Sequence, residues 1–318
     1  MNLKEIYDLA VEVGISVDLR GTEEIEKKLE RTREKYEELD DEEQEEFEQE
    51  KLDNPYADTR ILYGDPETEV QKILVGIDIE VGEVLIADRL REKGEEIDLI
   101  ISHHPEGKAL ANLHQVMHMQ EEILHLNGVP INVAQGIMAK RIKEVERNLM
   151  PVNHNKALDA AKIFDIPLMS VHTPADNLVT DFLQNKIDEA EPERVEDVIE
   201  LLKEIPEYKE AVNLKAGPKV IVGSKERKTG KVVVDMTGGT SGSKEAFKNL
   251  AQAGVGTLVC MHMGEEHRKK AEENHINVII AGHIASDSLG MNLFIDKLTT
   301  EGIEVTSCSG LIRVERGE

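Results

Sequence analysis

Cysteine is scarce in this chain of 318 residues: Cys260 and Cys308 are its only thiols. Two thiols cannot build a disulfide framework, and there is no Cys-x-x-Cys pair to hold a structural zinc ion. Both lie in strand-like surroundings, where a buried free thiol is expected. Basic residues are also in short supply, 38 Lys and Arg against 64 Asp and Glu, which leaves a net charge of −26. That balance argues against a duplex nucleic-acid partner, because such binding rests on neutralising phosphates with Lys and Arg. A phosphorylated small-molecule substrate stays admissible, since metal ions in a pocket can supply the positive field that the surface lacks. Long apolar runs are missing as well. The longest are of strand length, so no membrane partner is expected. The opening Met1-Asn2-Leu3-Lys4-Glu5-Ile6 has neither the basic nor the apolar region of a signal peptide, and a cytoplasmic location is expected.

Apolar residues make up 40% of the chain, enough for one large or two medium α/β domains. Three short Ile/Val/Leu-rich runs stand out because each ends in metal-type ligands. Ile97–Ile101 leads into Ser102-His103-His104-Pro105, and Ile166–Val171 into His172-Thr173-Pro174-Ala175-Asp176. Ile276–Ala281 leads into Gly282-His283-Ile284-Ala285-Ser286-Asp287. Each run reads as a buried strand of a parallel sheet, with its ligands just past the carboxyl end. Loops converge at that edge of an open α/β sheet and form binding crevices there. Imidazole and carboxylate are ligands for zinc, iron, manganese or nickel. Taken singly, each cluster has a plainer explanation. One His of the adjacent pair can cap a helix or face solvent, Asp176 can be an N-cap, and Asp287 can complement a helix dipole. Their joint appearance at three strand exits favours a site.

These residues resemble the Nif-three-like family, also known as GTP cyclohydrolase 1 type 2 homologues. Its pattern is a Ser-His-His-Pro element, a His-Thr-Pro-x-Asp element and a C-terminal Gly-His-x-x-x-Glu element, which together hold two metal ions. The resemblance covers about residues 73–183 and 219–316. It implies a Nif-three-like fold, two α/β halves with largely parallel sheets facing a shared metal-binding cleft. It implies that His103, His104, Asp176 and His283 bind two divalent metal ions. Asp287 stands where the family has Glu, one methylene shorter at the same spacing, and is expected to bind as well. His172 matches a family residue beside the metals and is expected to orient ligands rather than to bind. The resemblance also implies a homo-oligomer, commonly a hexamer, and its name implies ring opening and loss of formate from GTP.

The expected organisation is an N-terminal helix of the body at 1–21, an acidic helical insertion at 22–55, a first α/β half at 56–190, a junction at 191–218 and a second half at 219–318. In Glu23–Lys51, fifteen acidic residues face six basic ones. Ile25, Leu29, Tyr36 and Leu39 form one helical stripe there, as in a solvated amphipathic helix lying on the body. In the first half the pattern predicts a strand at 73–78, a helix at 81–93, a helix at 109–126, a strand at 129–133 and a helix at 138–149. In the second half it predicts strands at 219–223, 231–235, 257–261 and 276–281, with a last helix from 288 to 298. Such alternation implies parallel β-α units. His114, His118, His125 and His154 read as ordinary helix and loop residues, and His262 as pocket lining. Met236-Thr237-Gly238-Gly239-Thr240-Ser241-Gly242-Ser243-Lys244 fits neither a P-loop nor a dinucleotide fingerprint. It reads as a phosphate cradle or a tight strand-to-helix turn.

Two divalent ions held by such ligands lower the pKa of water for attack on carbon or phosphorus, so a metal-dependent hydrolase is the expected function. Ser102 offers no nucleophilic set, because metal binding would occupy its neighbour His103. Two alternatives remain open: a non-catalytic metal-binding or metal-trafficking oligomer, and a scaffold working through the acidic helices, for which deletion of 22–52 would abolish partner binding with metal content unchanged.

Overall fold

The computed structural model describes residues 1–316, so the last two positions of the expected second half, Gly317 and Glu318, lie outside the described residues. The nine strands are β1 (Arg60–Tyr63), β2 (Lys72–Gly76), β3 (Leu99–Ser102), β4 (Leu168–Ser170), β5 (Lys219–Val222), β6 (Lys231–Asp235), β7 (Val255–Cys260), β8 (Asn277–Ile280) and β9 (Glu304–Cys308). They form a five-stranded sheet in the order β1-β4-β3-β2-β9 and a four-stranded sheet in the order β5-β8-β7-β6. Pairing is parallel except at two edges, where β1 runs against β4 and β5 against β8. The chain is therefore α/β with two largely parallel sheets. The antiparallel edges and β9, which returns to the first sheet, are additions to the expected parallel units.

Two long helices lie between the sheets. Thr173–Ala190 follows β4 and His283–Thr300 follows β8. Ala175 and Leu178 of the first, with Met291, Phe294 and Ile295 of the second, pack with the five-stranded sheet. Val179, Leu183 and Ile187, with Ala285 and Leu289, pack with the four-stranded sheet. A helix that is apolar on two faces is stable only when both are covered, and here each face has its own sheet. The two helices cross closely because Gly290 carries no side chain: a Cβ there would stand 2.2 Å from the Ala175 carbonyl oxygen. This crossing sets the distance between the strand exits that carry the ligands.

Several expected elements differ. The strand expected at 129–133 is absent; Pro130 instead caps a continuous helix, Ile131–Leu149. Proline cannot donate to a ladder, and its fixed φ suits the entry to a helix. The single helix expected at 109–126 is three pieces, Gly107–Ala111, Leu113–Val116 and Met119–Leu126. The last helix begins at His283, five residues before the expected start, because Gly282 at φ 123° turns the chain into it directly. The acidic stretch forms helices Thr22–Glu37 and Asp41–Glu46 and a 3-10 turn, Gln49–Leu52. Ile25 and Leu29 of its stripe are buried, while Tyr36 and Leu39 are half-buried. Cys260 is buried and Cys308 half-buried, both as free thiols. Among the described residues no helix is long and apolar enough to cross a membrane.

Candidate metal centre

Each exit is built by local chain geometry. The backbone N–H groups of His103 and His104 donate to Gly76 and Ile77 carbonyls at 3.0 and 2.9 Å, which fixes the turn after β3 against the end of β2. His172 and His283 each stand at a helix start, with Asp176 and Asp287 four residues on, so both helices aim a His and an Asp from one face. Asp176 lies in the first turn of its helix, where the dipole favours a carboxylate. The adjacent His pair and the two His-x-x-x-Asp pairs thus meet at one place.

There His103 Nε2 lies 3.6 Å from Asp176 Oδ1 and 3.6 Å from Asp287 Oδ1. His104 Nε2 and His283 Nε2 each lie 3.5 Å from Asp287 Oδ2. Ligand-type atoms of His103, His172 and Asp176 lie within 4.8 Å of one another, and so do those of His103, His104 and Asp287. His262 lies beside the cluster, its ring centroid 4.8 Å from that of His283. His118 pairs with Glu121, while His125 and His154 bond the Val129 and Leu149 carbonyls. His114 lies on the short helix Leu113–Val116 and does not join the grouped ligand atoms. Ser102 donates its hydroxyl to the His104 carbonyl, which ties it into the turn.

Each of three imidazoles has one nitrogen committed outward. His103 Nδ1 donates to the Val171 carbonyl at 3.1 Å, His104 Nδ1 to Asp78 at 2.7 Å and His172 Nδ1 to Asp58 at 2.8 Å. In a neutral imidazole an outward Nδ1–H of this kind leaves Nε2 as the lone-pair nitrogen; burial opposes charge on His172, but Asp176 and Asp58 raise its pKa to about 9. Asp58 is fully buried and also accepts from Thr173 Oγ1 at 2.7 Å. Neither Asp58 nor Asp78 was among the expected site residues. Asp78 ends the first core strand of the sequence reading. Asp58 lies in Asn54-Pro55-Tyr56-Ala57-Asp58-Thr59-Arg60, where no spacing points toward His172.

The inner side is left unpaired. His103 Nε2, Asp176 Oδ1 and both Asp287 oxygens are buried without a hydrogen-bond partner. Burial pushes the His103 imidazole down to about 4 and the Asp176 carboxyl up to about 8. Asp287 is held well below the usual carboxylate range: burial opposes its charge, but His103 and His104 outweigh it. Buried atoms of this kind cost free energy unless something satisfies them, and a set of inward imidazole nitrogens and carboxylate oxygens fits a divalent cation.

A cavity of about 130 Å³ opens beside the cluster, bordered by His172, Asp176, His283 and Asp287 on one side and by the carboxyl ends of β6 and β7 on the other. The glycine-rich stretch forms part of its wall. Gln120 donates to the Gly238 and Thr240 carbonyls at 2.6 Å each, Arg141 to Ser241 at 2.9 Å and His267 to Gly242 at 3.0 Å. A Cβ at Gly238 would stand 2.7 Å from Gln120 Cγ, and one at Gly242 would stand 2.4 Å from Gln120 Oε1. Gly238 and Gly239 take φ of 93° and 88°, and Gln120 ties the turn that they form.

No family model and no curated protein matches the chain. Among solved structures it is similar to a NIF3 superfamily protein from Sphaerobacter thermophilus, with 24% identity and a TM-score of 0.75, over 98% of this chain and 99% of that one. At that coverage the match takes in the acidic segment 22–55. Lower-scoring matches include reduced HcgD from Methanocaldococcus jannaschii, with 18% identity and a TM-score of 0.49 over 78% and 87% of the two chains. Another is the protein ybgI, of unknown function, with 17% identity and a TM-score of 0.46 over 80% and 90%. The chain thus has the fold of a NIF3 superfamily protein along nearly its whole length, and the resemblance drawn from its three motifs holds at the level of fold.

Proposed function

We propose that this protein is a metal-dependent hydrolase with a dinuclear centre, similar to the GTP cyclohydrolase 1 type 2 homologues whose motifs it carries and acting on a nucleotide or another small substrate. The observation that carries this reading is the set of four buried, unpartnered atoms on His103, Asp176 and Asp287. Leaving such groups unmatched costs roughly 1–3 kcal/mol each, and more for charged ones, and cations relieve all of them together. His103, Asp176 and Asp287 would hold one ion, and His172, expected only to orient ligands, has a ring nitrogen close enough to join them. His104, His283 and Asp287 would hold the other. Asp287 would then stand in for the family Glu. Two divalent ions held there, of zinc, iron, manganese or nickel, would supply Lewis-acid charge and lower the pKa of water for hydrolysis. The chain's own part is to fix the ligands through Asp58, Asp78 and Val171, to keep the centre buried, and to admit substrate through the adjoining cavity.

Metal content by plasma mass spectrometry, on wild type beside His103→Ala/His283→Ala, tests the centre. Two equivalents of a transition metal are expected, lost in the variant with the fold intact by circular dichroism. GTP, phosphate esters and cyclic amides are then screened, with turnover expected to vanish in His104→Ala. Metal without turnover on any of them favours the non-catalytic metal-binding or metal-trafficking oligomer. No stoichiometric metal after reconstitution overturns both. The assembly expected from the resemblance is a homo-oligomer, a hexamer, and the helix Val81–Glu92 supports association by exposing Val81, Leu85 and Ile86. Native mass measurement checks it, and a monomer at micromolar concentration would refute it.

A further inference from the structure

The cavity has a second pole, away from His103, His104, His172 and His283. Strand β6 ends at Asp235, in register with Cys260 of β7, and the Asp235 carboxylate opens into the cavity. No donor among the described residues reaches it. The titratable side chain that acts on it is His267, which is tied to the Gly242 carbonyl and stands edge-on to Phe247 with ring centroids 6.0 Å apart. The walls nearby are apolar, with Met236, Phe247, Leu258 and Cys260. Asp235 is an exposed residue within that space, and the protein packed around its carboxylate raises its pKa above the ordinary carboxylate range. The acidic side chains lining the cavity are Asp176, Asp235 and Asp287, and its lining bases are His172, His262, His267 and His283, with no Lys or Arg among the described lining residues.

We propose that Asp235 anchors a ligand pocket beside the metal centre, and that the pocket takes a planar, N–H-rich cationic group of the amidinium or guanidinium type carried on a flat apolar body. Three features select this chemistry. The two carboxylate oxygens accept two parallel N–H donors, the strongest and most directional arrangement open to them. The Phe247 ring offers an apolar wall that also attracts a cation. An anionic head group would meet the Asp235 carboxylate on a wall with no Lys or Arg to offset it, whereas a cation complements its charge. Asp176 and Asp287 are committed to the centre, so Asp235 is the lining carboxylate free for the ligand. The inference rests on the hydrolase reading for calling this ligand the substrate; the pocket itself requires no metal.

The test is calorimetric titration of benzamidine into the full chain, beside benzamide and benzoate of the same shape. The titrations are repeated on Asp235→Asn, Asp235→Ser and Asp235→Glu, with circular dichroism and metal content measured on each. Benzamidine is expected to bind and benzoate not. Both neutral variants lose at least tenfold in benzamidine affinity with fold and metal content unchanged, and Asp235→Glu keeps most of it. Three results overturn the proposal: no benzamidine binding to wild type at millimolar concentration, equal affinity in the neutral variants, or tighter binding of benzoate, which would assign the cavity to anions. The comparison of the three probes on wild type stands even where a variant does not fold. Because binding is read without turnover, Asp235-dependent binding by a protein without stoichiometric metal would remove the hydrolase reading and keep the pocket. A metal-loaded protein blind to benzamidine would do the reverse.

Discussion

Asp58 and Asp78 take the same kind of hydrogen bond from an imidazole, yet their surroundings differ. Asp58 is fully buried and shared between His172 and Thr173, whereas Asp78 is largely exposed. A carboxylate behind a ligand fixes its tautomer and orientation, and its loss commonly costs 10–100-fold in metal affinity. Burial concentrates that effect, because water cannot replace Asp58 but can replace Asp78. Asp58→Asn is therefore expected to weaken metal binding by about 10-fold or more, and Asp78→Asn by much less, as read by competition with a chromogenic chelator. Equal losses would show that the two carboxylates act only through charge. At this scale the sequence discloses His103, His104, His172, Asp176, His283 and Asp287, because each belongs to a spacing that states its own geometry. Asp58 and Asp235 are silent: one comes from an irregular segment and the other from a strand end that resembles any other, and tertiary folding alone brings them to the site.

At the scale of elements, the centre depends on two helices that cross at Gly290 and Ala175. Asp176 lies one residue past Ala175, and Asp287 lies three residues before Gly290, so the crossing sets the distance between their carboxylates. A methyl group at position 290 would stand 2.2 Å from the Ala175 carbonyl oxygen, a backbone atom that cannot rotate away. Gly290→Ala is expected to destabilise the fold by about 1–3 kcal/mol, the usual cost of forced overpacking. Metal occupancy should fall with it, as Asp176 and Asp287 are pushed apart. Urea unfolding with metal content on the same samples checks both, and full occupancy at reduced stability would show that the centre tolerates the shift. The buried central strands β3, β4 and β8 are readable as apolar runs. The edge strands β1 and β9 are not, because their mixed burial leaves neither an apolar run nor a clean alternation. Pro130 shows the opposite failure, an apolar stretch that reads as a strand until the missing N–H is counted.

At the scale of the whole molecule, the acidic segment is part of the body and not a free arm. Arg60, at the start of β1 and two residues from Asp58, has a side chain with no solvent exposure. Its Nε donates to Glu48 at 2.9 Å and lies 3.3 Å from Glu50, both supplied by the acidic segment. Removing one side of a buried ion pair leaves an uncompensated charge at a cost of roughly 3–5 kcal/mol, here reduced because water reaches Glu48 and Glu50. Glu48→Ala/Glu50→Ala is thus expected to lower stability measurably and, by loosening Arg60 and the turn that carries Asp58, to weaken metal binding. Replacing the whole set with an apolar residue separates the two causes. Arg60→Met in the Glu48→Ala/Glu50→Ala background removes the stranded charge and should recover part of the stability, since groups in one ion-pair network do not contribute additively. Urea melts of wild type, the double variant, Arg60→Met and the triple variant close this cycle. A double variant as stable as wild type would mean that the acidic helices lie loosely on the surface, and the scaffold reading would then deserve its own test by deletion of 22–52. A loss that Arg60→Met partly restores would assign the segment's acidity, at Glu48 and Glu50, to holding the chain behind the candidate metal centre.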